Sequence, residues 1–478
     1  MVKRIAGFLA GAVLTAATVL ASDERHDGRT LFLGDSITHL GFCEYDLQLV
    51  ENLRHPGSER RYYNAGFGGG TLLTGIGNCK CEIDRVKPDR VVVMFGMNDV
   101  GWMAFETNVV LSTERRAEAD RRLASYRENY MRLLSEIRSH GVTNVVLATP
   151  TPYDEYSWAA PAICRRNVNE YGLKEMARIV REIARSENLS CVDLHAPMTE
   201  MAKLHPEIAW CGGDRVHPER LGYLFMSVQY LAAFGETARI SDLILTVDGE
   251  VIACVNATVD KVVRTERGLS FDYHPHALPL PPLPEYEKLK AVYPPVCQFN
   301  QEMLAVKGLD EGFWRLLADG REIGVFSARQ FADGVNLGEL DTSNRRLAAR
   351  AAEAMTALHD FDVPRRNCAC VRRKYESFGV PMNDKSALQV AVNRYLEKLK
   401  SEKYEWYGWE ERTARQFMDA MGCEVEMLAE EERLYRAMAD IRPVYLKIEI
   451  VKHPSGRSSV QEHDREKELS HERHKKSL

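Results

Sequence analysis

Short apolar runs alternate with longer stretches of helical periodicity over the first half of the chain. The runs lie at residues 31–34, 61–63, 90–95, 142–148 and 190–194. Largely continuous apolar runs are typical of parallel strands that are covered on both faces. Between them, apolar residues recur three or four positions apart at residues 45–53, 123–137, 168–183 and 221–231, as on the buried face of a helix. The alternation predicts a five-stranded parallel sheet with helices on its faces.

The pattern changes after residue 239. Two apolar runs at residues 243–247 and 251–255 flank Asp248-Gly249, which predicts a hairpin with a tight turn. Further strand patterns, at residues 269–273 and around Asp319-Gly320, predict a small β-rich segment over residues 239–341. Helical periodicity then predicts a helical C-terminal region over residues 342–451. Residues 452–478 are charged and poor in apolar residues, so they are predicted to be disordered.

Several aromatic residues lie near predicted loops, and each has two interpretations. Trp102 either walls a substrate site or packs beneath a loop, and Tyr153 follows the fourth strand at the same sheet edge. The cluster at residues 404–409 carries two tyrosines and two tryptophans. Such a cluster binds sugar rings by stacking or fills a core, and its place at a loop-to-helix junction favours the core.

The start of the chain has the form of a secretory signal. Basic residues at positions 3 and 4 precede an apolar and small-residue run that ends in Val19-Leu20-Ala21. We expect a signal peptide over residues 1–21 and a secreted or periplasmic protein, with an uncleaved anchor as the alternative. The net charge is −6, and lysine and arginine are spread along the chain. This charge pattern does not indicate a nucleic-acid partner, and we expect no stable membrane insertion after cleavage.

The chain has eleven cysteines, all of them after the predicted signal peptide. In an oxidising compartment some are expected to pair, and the odd number leaves at least one free. Two pairs, Cys79/Cys81 and Cys368/Cys370, are separated by a single residue. Paired zinc ligands usually have two to four residues between them, so disulfides or buried thiols are favoured over a metal site.

Four short blocks carry candidate chemistry. The first strand ends in Gly34-Asp35-Ser36, which places a serine hydroxyl at the carboxyl edge of the sheet, where open α/β folds bind ligands. A glycine-rich loop over residues 64–71 follows, then Gly96-Met97-Asn98-Asp99 after the third strand, and then the run from Asp214 to Pro218. A serine needs a base and oxyanion donors to act as a nucleophile, and these blocks contain both.

These blocks, in this order and spacing, resemble the SGNH branch of the GDSL hydrolases over roughly residues 29–236. The resemblance implies a three-layer α/β/α flavodoxin-like sandwich, with a hydrolase domain at residues 28–238. It also implies an esterase that needs no cofactor and no metal. One position departs from the family pattern, because Ile37 follows the serine where the family has leucine; both side chains are apolar.

The resemblance assigns roles residue by residue. It implies that Ser36 is the nucleophile, His217 its base and Asp214 the group that orients the histidine. The oxyanion donors would be the Ser36 N–H, the Gly69 N–H and the Asn98 amide. Three further glycines of the same loop compete with Gly69 for its role, at positions 66, 68 and 70.

A rival acid–base pair follows the fifth strand. Asp193 and His195 lie two positions apart, and on a strand end they would point to one face. Asp214 and His217 are favoured because Pro218 suits the first turn of the next helix. His217 then lies in the loop ahead of that helix, with extended geometry favoured.

The sequence therefore predicts a secreted serine esterase with a small-molecule or polysaccharide ester as substrate. Export and the appended segments favour small-acyl, chiefly acetyl, esters on carbohydrates. One alternative is a lipid or lysophospholipid esterase. Another is a non-catalytic binding or scaffold protein on a hydrolase fold, which the presence of all four blocks disfavours.

Overall fold

The computed structural model describes residues 28–107, 110–160, 164–236, 239–404 and 407–454. The predicted signal peptide lies outside the described residues, as does the predicted disordered tail beyond residue 454. The chain forms two compact units. The first comprises the residues up to Gln48 together with Glu59–Gly235 and Ala354–Ala437, and the second comprises Leu49–Ser58, Glu236–Glu353 and the residues from Met438.

The strands are numbered in chain order. They are β1 Arg29–Gly34, β2 Arg61–Gly66, β3 Arg90–Met94, β4 Val145–Ala148, β5 Ser190–Val192, β6 Arg239–Thr246, β7 Val251–Val255, β8 Ala257–Thr265, β9 Gly268–Pro275, β10 Gln301–Lys307, β11 Phe313–Ala318, β12 Arg321–Ser327, β13 Val335–Asn336 and β14 Leu446–Lys452.

The α-helices are numbered in the same way. They are α1 Ser36–Leu40, α2 Cys43–Arg54, α3 Leu72–Val86, α4 Thr113–Ser139, α5 Lys174–Ser186, α6 His195–Leu204, α7 Arg220–Ala233, α8 Pro284–Val292, α9 Ala328–Asp333, α10 Ser343–Ser377, α11 Lys385–Ser401, α12 Tyr407–Ala420 and α13 Glu424–Ala439.

The first unit is built on the predicted five-stranded parallel sheet. Its strand order is β2-β1-β3-β4-β5, and every pairing is parallel. The central strands are buried almost throughout, as their continuous apolar runs require. The register places Gly34, the last residue of β1, opposite Gly66 of β2 and Met94 of β3. The α/β fold with a helical C-terminal region is therefore confirmed.

Helix α4 begins earlier than the periodicity predicts. The periodicity of apolar residues indicates a helix only from Leu123, but α4 already starts at Thr113. The Ser112 side chain accepts a hydrogen bond from the Arg115 N–H and so caps the first turn. This first part has few apolar residues and carries ion pairs such as Glu118 to Arg121, so its periodicity is weak.

The helical C-terminal region contributes a second hydrophobic cluster to the first unit. Helices α10, α11 and α12 meet there around buried apolar side chains. These are Val371, Tyr375, Leu388, Val392, Ala414, Phe417 and Met418.

The second unit contains two sheets that share one core. One has the order β13-β10-β6-β7, and the other β12-β11-β14-β9-β8. The predicted hairpin is present as the antiparallel pair β6–β7, and Gly249 in its turn has φ +88°. Strand β14 lies between β11 and β9, although the sequence pattern gives no strand in the predicted helical region. Side chains of both sheets, among them Leu243, Phe271 and Ile448, are buried together.

Three findings concern membrane spans, cysteines and metal ligands among the described residues. Among the described helices, none combines the length and the hydrophobicity that a membrane span requires. All eleven cysteines lie among the described residues, and all are free. The expectation that some of them pair is therefore wrong for this structure. Within the described residues, no group of three or more His, Cys, Asp or Glu side chains is placed to hold a metal ion.

Buried carboxylic acids in the first unit predict a pH-dependent stability. Burial raises the pKa of Glu44 to about 8, although the Arg366 charge and the Asn64 amide oppose the shift. Below pH 8 the Glu44 carboxyl stays protonated in the folded state, whereas in the unfolded chain it loses its proton above its ordinary pKa of 4.5. Unfolding thus releases a proton, and the free energy of unfolding falls as pH rises towards 8.

Two buried histidines act in the opposite direction, but only at lower pH. Burial lowers the pKa values of His39 and His195 to about 4, so their contributions to the free energy of unfolding change only below their ordinary pKa of 6.5.

Between pH 6.5 and 8.5 we expect Glu44→Gln to remove about 2 kcal/mol of the pH dependence of the free energy of unfolding. Urea unfolding of the parent and the variant at both pH values measures this difference. Parallel stability curves would contradict it.

Candidate active site

The serine lies at a tight junction between β1 and α1. Asp35 caps α1, and its Oδ1 accepts a hydrogen bond of 2.9 Å from the Ile37 N–H. Gly34 has no room for a side chain, because a Cβ there would lie 2.7 Å from the Met94 carbonyl oxygen and still closer to Thr38. The glycine therefore allows the chain to turn directly into the helix, and Ser36 becomes its first residue.

Burial has a strong effect on Asp35 itself. It raises the pKa of this carboxyl to about 7, while the Ile37 N–H and the charge of His217 act in the opposite direction. Asp35 thus fixes the turn by accepting a backbone hydrogen bond. Although Asp35 lies next to the serine, it is Asp214 that contacts the Nδ1 of His217.

Ser36, His217 and Asp214 form a continuous chain of hydrogen bonds. The Nε2 of His217 lies 2.8 Å from the Ser36 Oγ, and its Nδ1 lies 2.5 Å from the Asp214 Oδ2. The other Asp214 oxygen accepts backbone N–H groups of Val216 and His217 at 2.9 and 3.0 Å. Burial opposes ionisation of Asp214, but these bonds and the His217 charge hold its pKa at about 2. The carboxylate therefore stays charged and fixes Nδ1 as the protonated nitrogen.

The loop that carries His217 is held by an arginine that the sequence analysis did not single out. Arg215 is buried and has φ +66°, a left-handed conformation that is rare outside glycine. Its guanidinium donates to three carbonyl oxygens, those of Asp154, Ser157 and Ala160, at 2.8–3.0 Å. Because these partners lie 55–61 residues upstream, no local sequence pattern indicates the contact.

The glycine loop leaves two N–H groups open for an oxyanion. The N–H groups of Gly66, Phe67 and Gly70 donate to Asn64, Gly34 and Phe67 respectively. Within the described part of the chain, the N–H groups of Gly68 and Gly69 have no hydrogen-bond partner. Gly69 has φ +69°, and both residues are exposed. Of the four glycines in this loop, only Gly68 and Gly69 therefore have an N–H group that is open to an oxyanion.

The third block joins this loop. The Asn98 amide donates to the Gly70 carbonyl oxygen at 2.9 Å, which uses one of its two N–H bonds. Asp99 accepts the Leu72 N–H at 3.0 Å, at the start of the helix that follows the loop. Asn98 thus lies at the glycine loop, and the second N–H of its amide is available to donate to a substrate.

The rival pair does not meet the serine. Strand β5 ends at Val192 and His195 begins α6, so the two residues do not share a strand end. Asp193 accepts from the Thr149 hydroxyl and pairs with Arg181. The side chain of His195 is buried, whereas His217 contacts Ser36. The helix that follows the fourth block starts at Arg220, so Pro218 precedes its first turn rather than lying in it.

A buried polar network links the first two blocks to helix α10. His39, three residues after the serine, has its Nδ1 3.0 Å from the Gly66 carbonyl oxygen, and the Asn367 Oδ1 lies 2.7 Å from its Nε2. Burial and the Arg366 charge lower the pKa of His39 to about 4, so the imidazole is neutral and carries one N–H. Since the Gly66 carbonyl oxygen can only accept a hydrogen bond, the Nδ1 of His39 is the donor to it.

Arg366 completes this network. Its guanidinium donates to the His39 carbonyl oxygen, to the Tyr45 hydroxyl and to the Asp362 carboxylate. Both members of the Arg366–Asp362 pair are buried, and Tyr45 also donates to Asp362. The turn that carries Ser36 and the glycine loop therefore rest on residues far outside the four sequence blocks.

We expect Arg366→Met to destabilise the protein by about 1.5–3 kcal/mol, because buried Asp362 loses one of its two arginine partners and keeps only Arg365 and Tyr45. The free energy of unfolding in urea measures the loss. The double variant with Asp362→Asn should recover part of it, since both charges are then removed. Simple additivity of the two single losses would contradict this account of the pair.

The aromatic residues near the site have different environments. Trp102 and Tyr153 stack with ring centroids 5.8 Å apart, but Tyr153 is buried and only Trp102 is partly exposed. Tyr153 therefore supports Trp102 from below. Trp158 is 73% exposed and lies in the segment that Arg215 holds beside the His217 loop.

The fold and the four blocks together define a class of protein. Residues 32–224 match the sequence model of the GDSL-like lipase/acylhydrolase family. The resemblance found in the sequence is confirmed for this region: the chain contains a GDSL-like lipase/acylhydrolase domain, and the protein is a carboxylic ester hydrolase.

Two similar proteins extend the comparison. The acetylxylan esterase of Geobacillus stearothermophilus is 29% identical over 225 residues, which cover 43% of this chain and 94% of that protein. A gut microbial diltiazem-metabolizing enzyme of known structure is 24% identical, with a TM-score of 0.80 over 91% of this chain and 99% of its own. The second likeness shows that a protein of known structure shares the fold of nearly the whole chain.

Proposed function

We propose that the protein hydrolyses small-acyl esters, chiefly acetyl esters on carbohydrates, through an acyl-enzyme on Ser36. The observation that carries this proposal is the hydrogen-bond chain from Ser36 through His217 to Asp214, next to open N–H donors. A secreted or periplasmic location is part of the proposal and rests on the form of the first twenty-one residues.

In the first half of the reaction, the Nε2 of His217 takes the proton of the Ser36 hydroxyl as Oγ attacks the ester carbonyl carbon. The 2.8 Å distance between these atoms suits a direct transfer. Asp214, with its pKa of about 2, stays ionised and stabilises the imidazolium that forms. The imidazolium then gives its proton to the leaving alcohol, and the acyl group stays on Ser36.

The negative charge that develops on the carbonyl oxygen needs donors that are already in place. We assign this role to the Ser36 N–H, the second N–H of the Asn98 amide and the Gly69 N–H. Ser36 lies in the first turn of α1, where backbone N–H groups lack intrahelical partners. Gly68 is the alternative to Gly69, since its N–H is open as well.

In the second half, a water replaces the alcohol. His217 takes a proton from this water, and the hydroxide attacks the acyl carbon. When the tetrahedral intermediate breaks down, the proton returns to Ser36 and the acid is released.

The substrate class rests on the acetylxylan esterase to which the domain is similar and on the aromatic residues beside the His217 loop. Trp158 and Trp102 offer apolar faces, which pack well against sugar rings. A lipid esterase usually needs a long apolar groove for the acyl chain instead.

The test compares acetyl, butyryl and octanoyl aryl esters and then measures acetate release from acetylated xylan and pectin fragments. We expect activity to fall as the acyl chain lengthens, and acetate to be released from at least one polysaccharide. The Ser36→Ala variant, assayed in parallel, accounts for spontaneous hydrolysis. Activity that rises with chain length, with no acetate from any polysaccharide, would overturn the proposal in favour of a lipid esterase.

A further inference from the structure

Helices beyond the GDSL-like domain contact two residues of the glycine loop directly and a third through His39. The Gly66 carbonyl oxygen is bound by His39, which Asn367 holds. The guanidinium carbon of Arg373 lies 5.1 Å from the centre of the Phe67 ring. At Gly68, a Cβ would lie 3.7 Å from two carbon atoms of the Trp409 indole.

The position of Trp409 on this loop is fixed by the helices that carry these residues. Lys374, next to Arg373, donates to both carboxylate oxygens of Glu410 at 2.7 and 2.6 Å. Glu410 is buried and adjoins Trp409, whose carbonyl oxygen accepts the Thr413 hydroxyl at 3.0 Å. The ion pair therefore ties α12, the helix that carries Trp409, to α10.

Trp409 nevertheless is not a core residue. Its side chain is partly exposed, and it lies against Gly68, one of the two exposed glycines of the loop. Its indole N–H has no hydrogen-bond partner in the parts of the chain that the structure describes. A partly exposed aromatic face with a free donor is well suited to a ring that carries hydroxyl groups.

Trp409 also lies close to the reacting centre. Gly68 is two residues from Gly70, whose carbonyl oxygen accepts the Asn98 amide. A Cβ at Gly70 would lie 3.6 Å from the Asp35 Cα, next to Ser36. The indole therefore borders the oxyanion donors on the side of Gly68.

We propose that Trp409 is a specificity-determining residue: its indole packs against a ring of the alcohol part of the ester while the acyl carbon lies at Ser36. This inference rests on the proposed function, because a small acyl group leaves the alcohol as the part of the substrate that carries a ring. The helical C-terminal region thus adds a substrate contact from outside the GDSL-like domain.

The experiment compares a ring-bearing and a ring-free acetate. The kcat/KM values for an acetylated xylo-oligosaccharide and for glyceryl triacetate are measured for the parent, Trp409→Ala and Trp409→Phe. Phe378→Ala is the matched control, because Phe378 is an exposed aromatic residue of the same helical region that packs on Tyr375 and Tyr395. Thermal unfolding of each variant checks the fold.

We expect Trp409→Ala to lower the ratio of the two kcat/KM values by about three- to tenfold, through KM, and Trp409→Phe to restore most of it. The control should leave the ratio unchanged. An equal loss of kcat/KM on both substrates would show that Trp409 only supports the glycine loop. Values of kcat/KM that change on neither substrate would exclude the contact. Either result overturns the inference.

A separate substrate pair distinguishes this inference from the proposed function. If the parent releases no acetate from sugars, 4-nitrophenyl acetate replaces the oligosaccharide as the ring-bearing ester. A fall in its ratio to glyceryl triacetate in Trp409→Ala would then retain the ring contact although the carbohydrate substrate is rejected. An unchanged ratio would reject both.

Discussion

Replacing Ser36 by alanine should lower kcat by roughly 10⁴- to 10⁶-fold while the protein stays folded. The change removes one oxygen atom, which contacts the Nε2 of His217 at 2.8 Å. Without it no acyl-enzyme forms, and only the oxyanion donors and substrate binding contribute to the rate. Turnover of an aryl acetate, together with the thermal unfolding temperature, measures both parts of this expectation.

The same experiment tests whether the three residues act as a unit. His217→Ala should cost nearly as much as Ser36→Ala, and the double variant should lose little more than either one. Ser139→Ala serves as the control, because Ser139 is an exposed serine in the last turn of α4. If His195→Ala proved more damaging than His217→Ala, the assignment of the base would be wrong.

Removing the Asn98 amide should lower kcat by roughly a hundred- to a thousandfold with little change in KM. Its free N–H would act mainly on the charge that develops in the transition state, so substrate binding in the ground state is less affected. Steady-state kinetics of Asn98→Ala with a short-chain aryl ester separate the two constants.

A second role of Asn98 requires a control. The amide also supports the glycine loop through the Gly70 carbonyl oxygen at 2.9 Å, and collapse of that loop would raise KM and lower the unfolding temperature. Asn98→Asp keeps the size but places a negative charge near the oxyanion, so it should lose at least as much kcat as Asn98→Ala. Asn129→Ala, on α4, controls for the loss of an amide elsewhere. An unchanged kcat in both Asn98 variants would remove this residue from the mechanism.

Local patterns were sufficient for the elements that carry the site. Gly34 and Ser36, the glycine loop, Asn98 and the run from Asp214 to His217 each follow a strand or precede a helix, and a parallel sheet brings strand ends to one edge. The β6–β7 hairpin was predictable for a similar reason, because Asp248-Gly249 specifies its turn between two apolar runs.

Contacts between distant parts of the chain were not predictable in this way. His39 and Asn367 are 328 residues apart, and neither belongs to a motif. The choice between Gly68 and its neighbours depends on which N–H groups the fold already uses, and the sequence does not contain that information. The start of α4 was missed because its first turns have charges instead of an apolar face.

Strand β14 has a consequence for how the protein is made. It lies between β9 and β11, yet the ribosome synthesises it more than one hundred residues after either neighbour. At ordinary elongation rates these two strands wait on the order of ten seconds or more with unpaired edges, during which they are open to wrong pairing or to a chaperone. The sheet that contains β14 is thus completed only after the helices that contact the glycine loop have emerged.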